Sequence, residues 1–334
     1  MAACKKLKVH YLCRVDFRLA FQPEGLPQKI NYRQQVLLAG SCFAENIGNL
    51  LHHYRLNVLQ NPNGILYNPV SIAQTLQRAL EGKMYEPEEL FYHNDLWASW
   101  QHHGRFSHPD KDTCIKGINE QQQAAKGFLQ SGHWLVVTFG SAFAYRLKSS
   151  GQLVANCHKY PNKEFDKELL STAEIITEWR KFIELLQTVN PRLNILLTVS
   201  PVRYVRDGLV ENNRSKARLI EAVHTLCENY GNVHYFPAYE LVMDDLRDYR
   251  FFEADMVHPN AQAIEYVWDA FVKAAFDSEA QLIYPQVKQL LADASHRPFH
   301  TDTTQYQKFV AARQSKIQAF KQQYPFVNLG MDGL

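Results

Sequence analysis

The sequence predicts an α/β fold: a mostly parallel sheet with helices on both faces. Three observations carry this. Short apolar runs alternate with longer segments whose apolar residues recur at helical spacing. Several runs end in Gly-Ser, Ser-Pro or Asn-Pro-Asn-Gly, the turn chemistry expected where a strand gives way to a helix. The runs are also apolar almost throughout, as strands buried on both faces are.

The elements follow in order. Residues 35–39 (QVLLA) form the first strand, ending in Gly40-Ser41 before a helix that carries Ile47, Leu50, Leu51 and Tyr54. A second strand at 56–60 ends in Asn61-Pro62-Asn63-Gly64, and a helix starts near Pro69. From about 82 to 131 the alternation breaks. FYHNDLWASWQHHGRF predicts a hairpin turning at Asn94-Asp95, followed by a polar helix, which together read as an insertion beside the sheet. WLVVTF at 134–139 is the third strand and ends in Gly140-Ser141; a second hairpin pairs 143–148 with 152–157. Ile175, Trp179, Phe182 and Leu186 stripe a helix over 171–187, and ILLTV at 195–199 is the fourth strand. Leu219, Val223 and Leu226 stripe the next helix, and a short strand lies at 233–236. The last core helix is expected to begin at Pro259, where a missing N–H costs nothing. Amphipathic helices follow. The expected organisation is one domain over 1–276 carrying the insertion, with a helical appendage over 277–334.

Composition narrows the functional classes. Of 334 residues, 46% are hydrophobic and 21% charged, which excludes a disordered chain. Lys plus Arg number 36 against 34 Asp plus Glu, so no overall field argues for nucleic acid or an anionic membrane as partner. The six cysteines contain no C-x-x-C pair and read as thiols. No signal-like apolar core opens the chain and no run is long enough to span a bilayer, so a soluble, cytoplasmic protein is expected.

Signatures for phosphate loops, dinucleotide turns, zinc proteases and the G-x-S-x-G elbow are all missing. Two features remain: Ser41 at the carboxyl end of the first strand, and Asp255-Met256-Val257-His258-Pro259 before the last helix. Both belong on the sheet edge where open α/β sheets bind ligands. A serine on a strand-to-helix turn exposes its hydroxyl, with helix N–H groups behind it that suit an oxyanion. A serine hydroxyl needs a base, and a histidine oriented by a carboxylate supplies one. Each residue alone has an ordinary explanation as turn, cap or packing group; the joint pattern points to nucleophilic catalysis. Cys42 is the alternative nucleophile beside Ser41. Neighbours on a turn point different ways, so only one can face His258, and Cys42 reads as a buried small hydrophobe. The paired histidines lack the acidic or thiol company of a metal site, so no metal is expected. His158 is a candidate substrate contact, as is Arg203, which could equally pair with Asp207. Trp97, Trp100 and His103 of the insertion could wall a pocket, although packing is their more ordinary role.

Gly40-Ser41-Cys42-Phe43-Ala44-Glu45-Asn46-Ile47-Gly48 resembles the signature of the GSCFA family, and the resemblance runs from about Phe17 to Ala275. That family is similar to the SGNH or GDSL-like hydrolases. The resemblance implies a three-layer α/β/α sandwich and a triad of Ser41 as nucleophile, His258 as base and Asp255 as its orienter. Asn63-Gly64 resembles the block that gives a glycine N–H to the oxyanion hole. Gly140-Ser141 resembles a block that normally reads Gly-x-Asn-Asp, but Phe143 stands where the asparagine would be. Asn63 or Asn156 is the candidate replacement. The expected oxyanion and substrate residues are therefore Cys42, Asn63, Gly64, Gly140, Asn156 and His158.

The resulting expectation is a cofactor-free serine hydrolase acting on a small polar or carbohydrate-like ester, such as an O-acetyl group. Alternatives are an inactive binding protein that keeps the fold, and an O-acyltransferase using the same serine.

Overall fold

The computed structural model describes residues 19, 21–295, 300 and 302–330; the expectations for Cys4 and Cys13 lie outside them. Five parallel strands form the central sheet: β1 (Gln35–Gly40), β2 (Asn57–Gln60), β3 (Trp134–Phe139), β4 (Asn194–Val199) and β5 (Val233–Tyr235). Their spatial order is β5-β4-β3-β1-β2, with Gly40 opposite Thr138 and Phe139 opposite Val199.

Strand periodicity divides the core into two layers. Val36, Leu38, Trp134, Val136 and Leu196 share one apolar cluster with Phe43, Ile47 and Leu51 of α1 (Cys42–His53) and Val267, Trp268 and Phe271 of α6 (Ala261–Ala275). The alternate residues Leu37, Leu135, Val137, Ile195 and Leu197 meet the other. There they pack on α2 (Pro69–Leu80), α4 (Thr172–Val189) and α5 (Leu209–Asn229), with Trp179 and Phe182 fully buried. The result is the three-layer α/β/α sandwich. The C-terminal helices α7 (Ser278–Ser295) and α8 (Thr304–Gln323) join the first cluster through Ile283, Val287, Ile317 and Phe320. Among the described residues no helix is long and apolar enough to cross a membrane.

Several local features differ from expectation. The last core helix starts at Ala261, because Asn260 caps it by accepting the Ala263 N–H at 3.1 Å, while Pro259 bridges to Phe252. The insertion's hairpin pairs Leu90–His93 with Leu96–Ser99, and Asn94 and Asp95 both take the positive φ that a two-residue turn requires. Its helix α3 (Lys111–Ser131) is not wholly beside the sheet, since Ala125 and Leu129 enter the second cluster. The second hairpin is shorter than predicted, Phe143–Leu147 with Leu153–Val154, and gains a third strand at Phe165–Leu169. FDKEL is too polar to read as a strand; its ladder with Phe143–Leu147 holds it there.

Candidate active site

The strand order reverses direction between β1 and β3: from β1 the chain winds outward to β2, then returns to β3 on the other side. The crevice beyond the carboxyl ends at such a switch point is the natural ligand site. A cavity of about 520 Å³ occupies it, with Ser41, Cys42, Gly140, Ser200 and His258 among its walls. β1, β3, β4 and the loop before α6 thus all converge there.

Ser41 occupies the N-cap position of α1 with extended backbone, yet its side chain makes no cap hydrogen bond. Asn68, Ser171 and Asn260, at the N-caps of α2, α4 and α6, each accept an amide in the usual way. The Ser41 hydroxyl is buried and has no hydrogen-bond partner among the described residues. Such an orphan ordinarily costs about 1–3 kcal/mol. Gly40 sets the turn: its φ is +127°, and a Cβ there would lie 2.2 Å from the Thr138 carbonyl oxygen.

Asp255 and His258 meet through local geometry. His258 Nδ1 lies 2.6 Å from Asp255 Oδ2, while Asp255 Oδ1 accepts the N–H groups of Val257 at 2.8 Å and His258 at 3.0 Å. Met256 adopts left-handed backbone to close the turn. The backbone and side-chain donors of His258 pull the Asp255 carboxyl down to about 2. With Nδ1 held by the carboxylate, Nε2 is the nitrogen left for chemistry. Arg203 lines the cavity but does not pair with Asp207. It donates to Met256 O at 2.9 Å and lies over the Phe252 ring, bracing the loop that bears His258, while Asp207 pairs with Lys167.

The structure sorts the other expected residues. Cys42 is half-buried rather than buried: it lines the cavity, with its sulfur 3.7 Å from the Tyr67 hydroxyl. Asn156 also lines the cavity; its Oδ1 accepts the His158 N–H at 2.8 Å, and its Nδ2 has no partner among the described residues. His158 Nε2 donates to Ser99 O, and the ring packs edge-on against Phe91, facing a side groove. The amides expected to hold an oxyanion are engaged internally. Ser41 N–H donates to Thr138 O, Gly64 N–H to Asn61 O and Gly140 N–H to Tyr67 O. Asn63 points its amide at His102, 3.1 Å away, and neither Asn63 nor Gly64 is among the cavity's wall residues. Of the insertion's three candidates His103 alone reaches the wall, whereas Trp100 stacks on Phe91 and Trp97 packs in the insertion's small core.

The Asn63-Gly64 block instead positions His103. Its N–H donates to Asn63 O at 2.9 Å, and a Cβ on Gly64 would fall 2.2 Å from His103 Cβ, at a φ of +78°. Gly64→Ala is therefore expected to push His103 from the wall and destabilise the fold by about 1–3 kcal/mol. A thermal unfolding midpoint equal to that of the wild type would show this contact to be loose.

Sequence reasoning missed three residues here. Tyr67 and Asn68 line the cavity, and Tyr67 O ties the second loop to Gly140 and Ser141. Lys216 of α5 is buried, with Nζ donating to Gly140 O at 2.7 Å and Ser200 O at 2.6 Å, directly behind two wall residues. Burial alone pushes its ammonium down to about 7. A signal was present, since Lys216 sits on the same stripe as Leu219, Val223 and Leu226.

No curated protein matches the chain. Among solved structures, a carbohydrate esterase family 3 from Talaromyces cellulolyticus is 10% identical, covering 78% of this chain and 100% of that one, with a TM-score of 0.34. An acetyl xylan esterase from the rumen bacterium Butyrivibrio proteoclasticus is 12% identical over 73% of this chain and 64% of its own, TM-score 0.37. A Clostridium thermocellum family 3 carbohydrate esterase is 9% identical over 76% and 98%, TM-score 0.32. Residues 287–332 match the GSCFA domain protein, C-terminal domain. Residues 35–271, most of the chain and all five sheet strands, match the GSCFA family, and the chain belongs to that family.

Proposed function

We propose that the protein is a serine hydrolase of O-acyl esters on small polar or carbohydrate-like molecules. The observation that carries this reading is the Ser41 hydroxyl. It is buried, withheld from capping its own helix, and placed on the same cavity as an imidazole whose other nitrogen is held by a carboxylate.

In this reaction Ser41 Oγ attacks the ester carbonyl carbon as its proton passes to His258 Nε2. The carbon–oxygen bond to the alcohol then breaks, and the departing oxygen takes that proton. Water gives a proton to the same nitrogen and attacks the acyl-serine carbon; the bond to Ser41 Oγ then breaks, Oγ takes that proton back, and the carboxylic acid leaves. Asp255 holds the ring orientation throughout. Ser41 and His258 share no direct hydrogen bond among the described residues, and catalytic contacts of this kind commonly tighten when substrate binds. The uncapped first turn of α1, beginning at Cys42, and the Asn156 amide are the donors available to the oxyanion, in place of the engaged Gly64 amide.

The engaged amides favour a second reading, a binding protein that retains the fold without turnover. Reaction with a fluorophosphonate followed by peptide mapping separates the two. Labelling at Ser41 that disappears in His258→Ala supports the hydrolase. No labelling, together with equal rates on short p-nitrophenyl esters for wild type, Ser41→Ala and Cys42→Ala, overturns it.

A further inference from the structure

The catalytic cavity does not end at its own walls. A side groove of about 430 Å³ shares His103 and Asn156 with it and runs along the insertion's hairpin past Phe91, His93 and Lys159. The two compartments lie against the same two wall residues, and together they offer more room than a single small ester needs. Aromatic rings line both parts: Phe143 beside Tyr204 in the cavity, and Phe91, stacked on Trp100, in the groove. Such faces pack against the C–H faces of sugar rings.

Charge is distributed unevenly across this cleft. Neither compartment has an aspartate or glutamate among its wall residues, although acidic and basic residues are nearly balanced over the whole chain. Arg203 and Arg206 lie in the cavity and Lys159 in the groove. Arg203 is engaged with the Met256 carbonyl, but Arg206 and Lys159 have no hydrogen bond or ion pair among the described residues. Of the carboxylates near these walls, Glu45 pairs with Arg105, Asp207 with Lys167 and Asp255 with His258, whereas Asp95, between the groove residues Asn94 and Leu96, has no ion pair among the described residues. A ligand would meet one unpaired cation in each compartment, Arg206 in the cavity and Lys159 in the groove.

We propose that the cleft takes an acidic oligosaccharide, an O-acylated glycan whose carboxylates meet Arg206 in the cavity and Lys159 in the groove. Few and separated cations suit one negative group per sugar ring rather than a densely sulfated chain. The ester part rests on the serine-hydrolase reading; recognition of the glycan does not.

Calorimetric titration with short unacetylated oligogalacturonates and with neutral xylo-oligosaccharides of equal length tests recognition without turnover. Wild type is expected to bind the acidic glycan about tenfold or more tightly than the neutral one, a preference that shrinks at high salt. Arg206→Gln and Lys159→Gln should each erode that preference, with unchanged thermal midpoints showing that the fold is retained. Equal or tighter binding of the neutral glycan overturns the proposal, as does a preference that survives in the double variant. Turnover of the acetylated forms of both glycans then separates the two readings. Acidic preference in binding with neither hydrolysed sinks the hydrolase alone; Ser41-dependent hydrolysis of both at equal kcat/KM sinks the acidic-glycan proposal alone.

Discussion

Ser41→Ala is expected to lower ester turnover by about 10⁶-fold while leaving the thermal midpoint unchanged or slightly raised. The loss follows from removing the nucleophile. The stability result follows from geometry: the hydroxyl caps nothing and has no partner among the described residues, so its removal relieves a buried unsatisfied group. A midpoint several degrees lower would mean that the hydroxyl serves the fold, and retained turnover would mean that another group attacks. His258→Ala is expected to cost about as much in turnover, and the double variant no more than either single one, because the two act as a unit. Asp255→Asn should also reduce turnover without disturbing the fold, since the loop is braced independently by Arg203 and by Glu253 N–H on His258 O. The carboxyl of Asp255 is depressed in the folded protein, so its contribution is present above the ordinary carboxylate range and is lost only as pH falls through about 2. Any loss of activity between pH 5 and pH 8, the range in which imidazoles ordinarily titrate, therefore belongs elsewhere.

The second large effect concerns Lys216. A buried ammonium with two carbonyl partners and no carboxylate among its hydrogen-bond partners is held at a cost, and its folded value near 7 lies well below that of an unfolded lysine. Between the two values the unfolded chain binds one more proton than the native one. Stability contributed through this group therefore rises with pH, by about 1.4 kcal/mol per pH unit at most, beginning near pH 7. Lys216→Met removes the titration. Denaturant unfolding of both proteins at pH 7 and pH 9 should show the wild type gaining on the variant by about 2 kcal/mol. A constant difference would place the group in contact with water. Lys216→Ala should be worse at both pH values, because it leaves a cavity and strands the carbonyls of Gly140 and Ser200 behind the crevice.

Much of the fold was legible from short stretches. The runs ending at Ala39, Gln60, Phe139, Val199 and Phe236 lie within one residue of the sheet strands, because continuous apolar character bounded by turn residues is a local property. The third strand of the small antiparallel sheet was not legible, since Phe165–Leu169 is held by pairing with Phe143–Leu147 and carries little apolar signal of its own. The start of α6 was misjudged for a related reason. Proline at the first helical position was an allowed reading, but Asn260 competes better as a cap once Pro259 is drawn into a bridge with Phe252.

By itself the sequence determined the α/β alternation, the glycine turn that presents Ser41, and the closeness of Asp255 to His258, all set within a few residues by spacing and backbone geometry. Only the tertiary structure decided which groups are left over. The engaged amides of Gly64 and Gly140, the unpartnered Ser41 hydroxyl, the buried Lys216 and a cleft without acidic walls depend on atoms brought together from distant segments. Hydrogen-bond satisfaction and desolvation are properties of a packed environment, and no local pattern of residues can specify them.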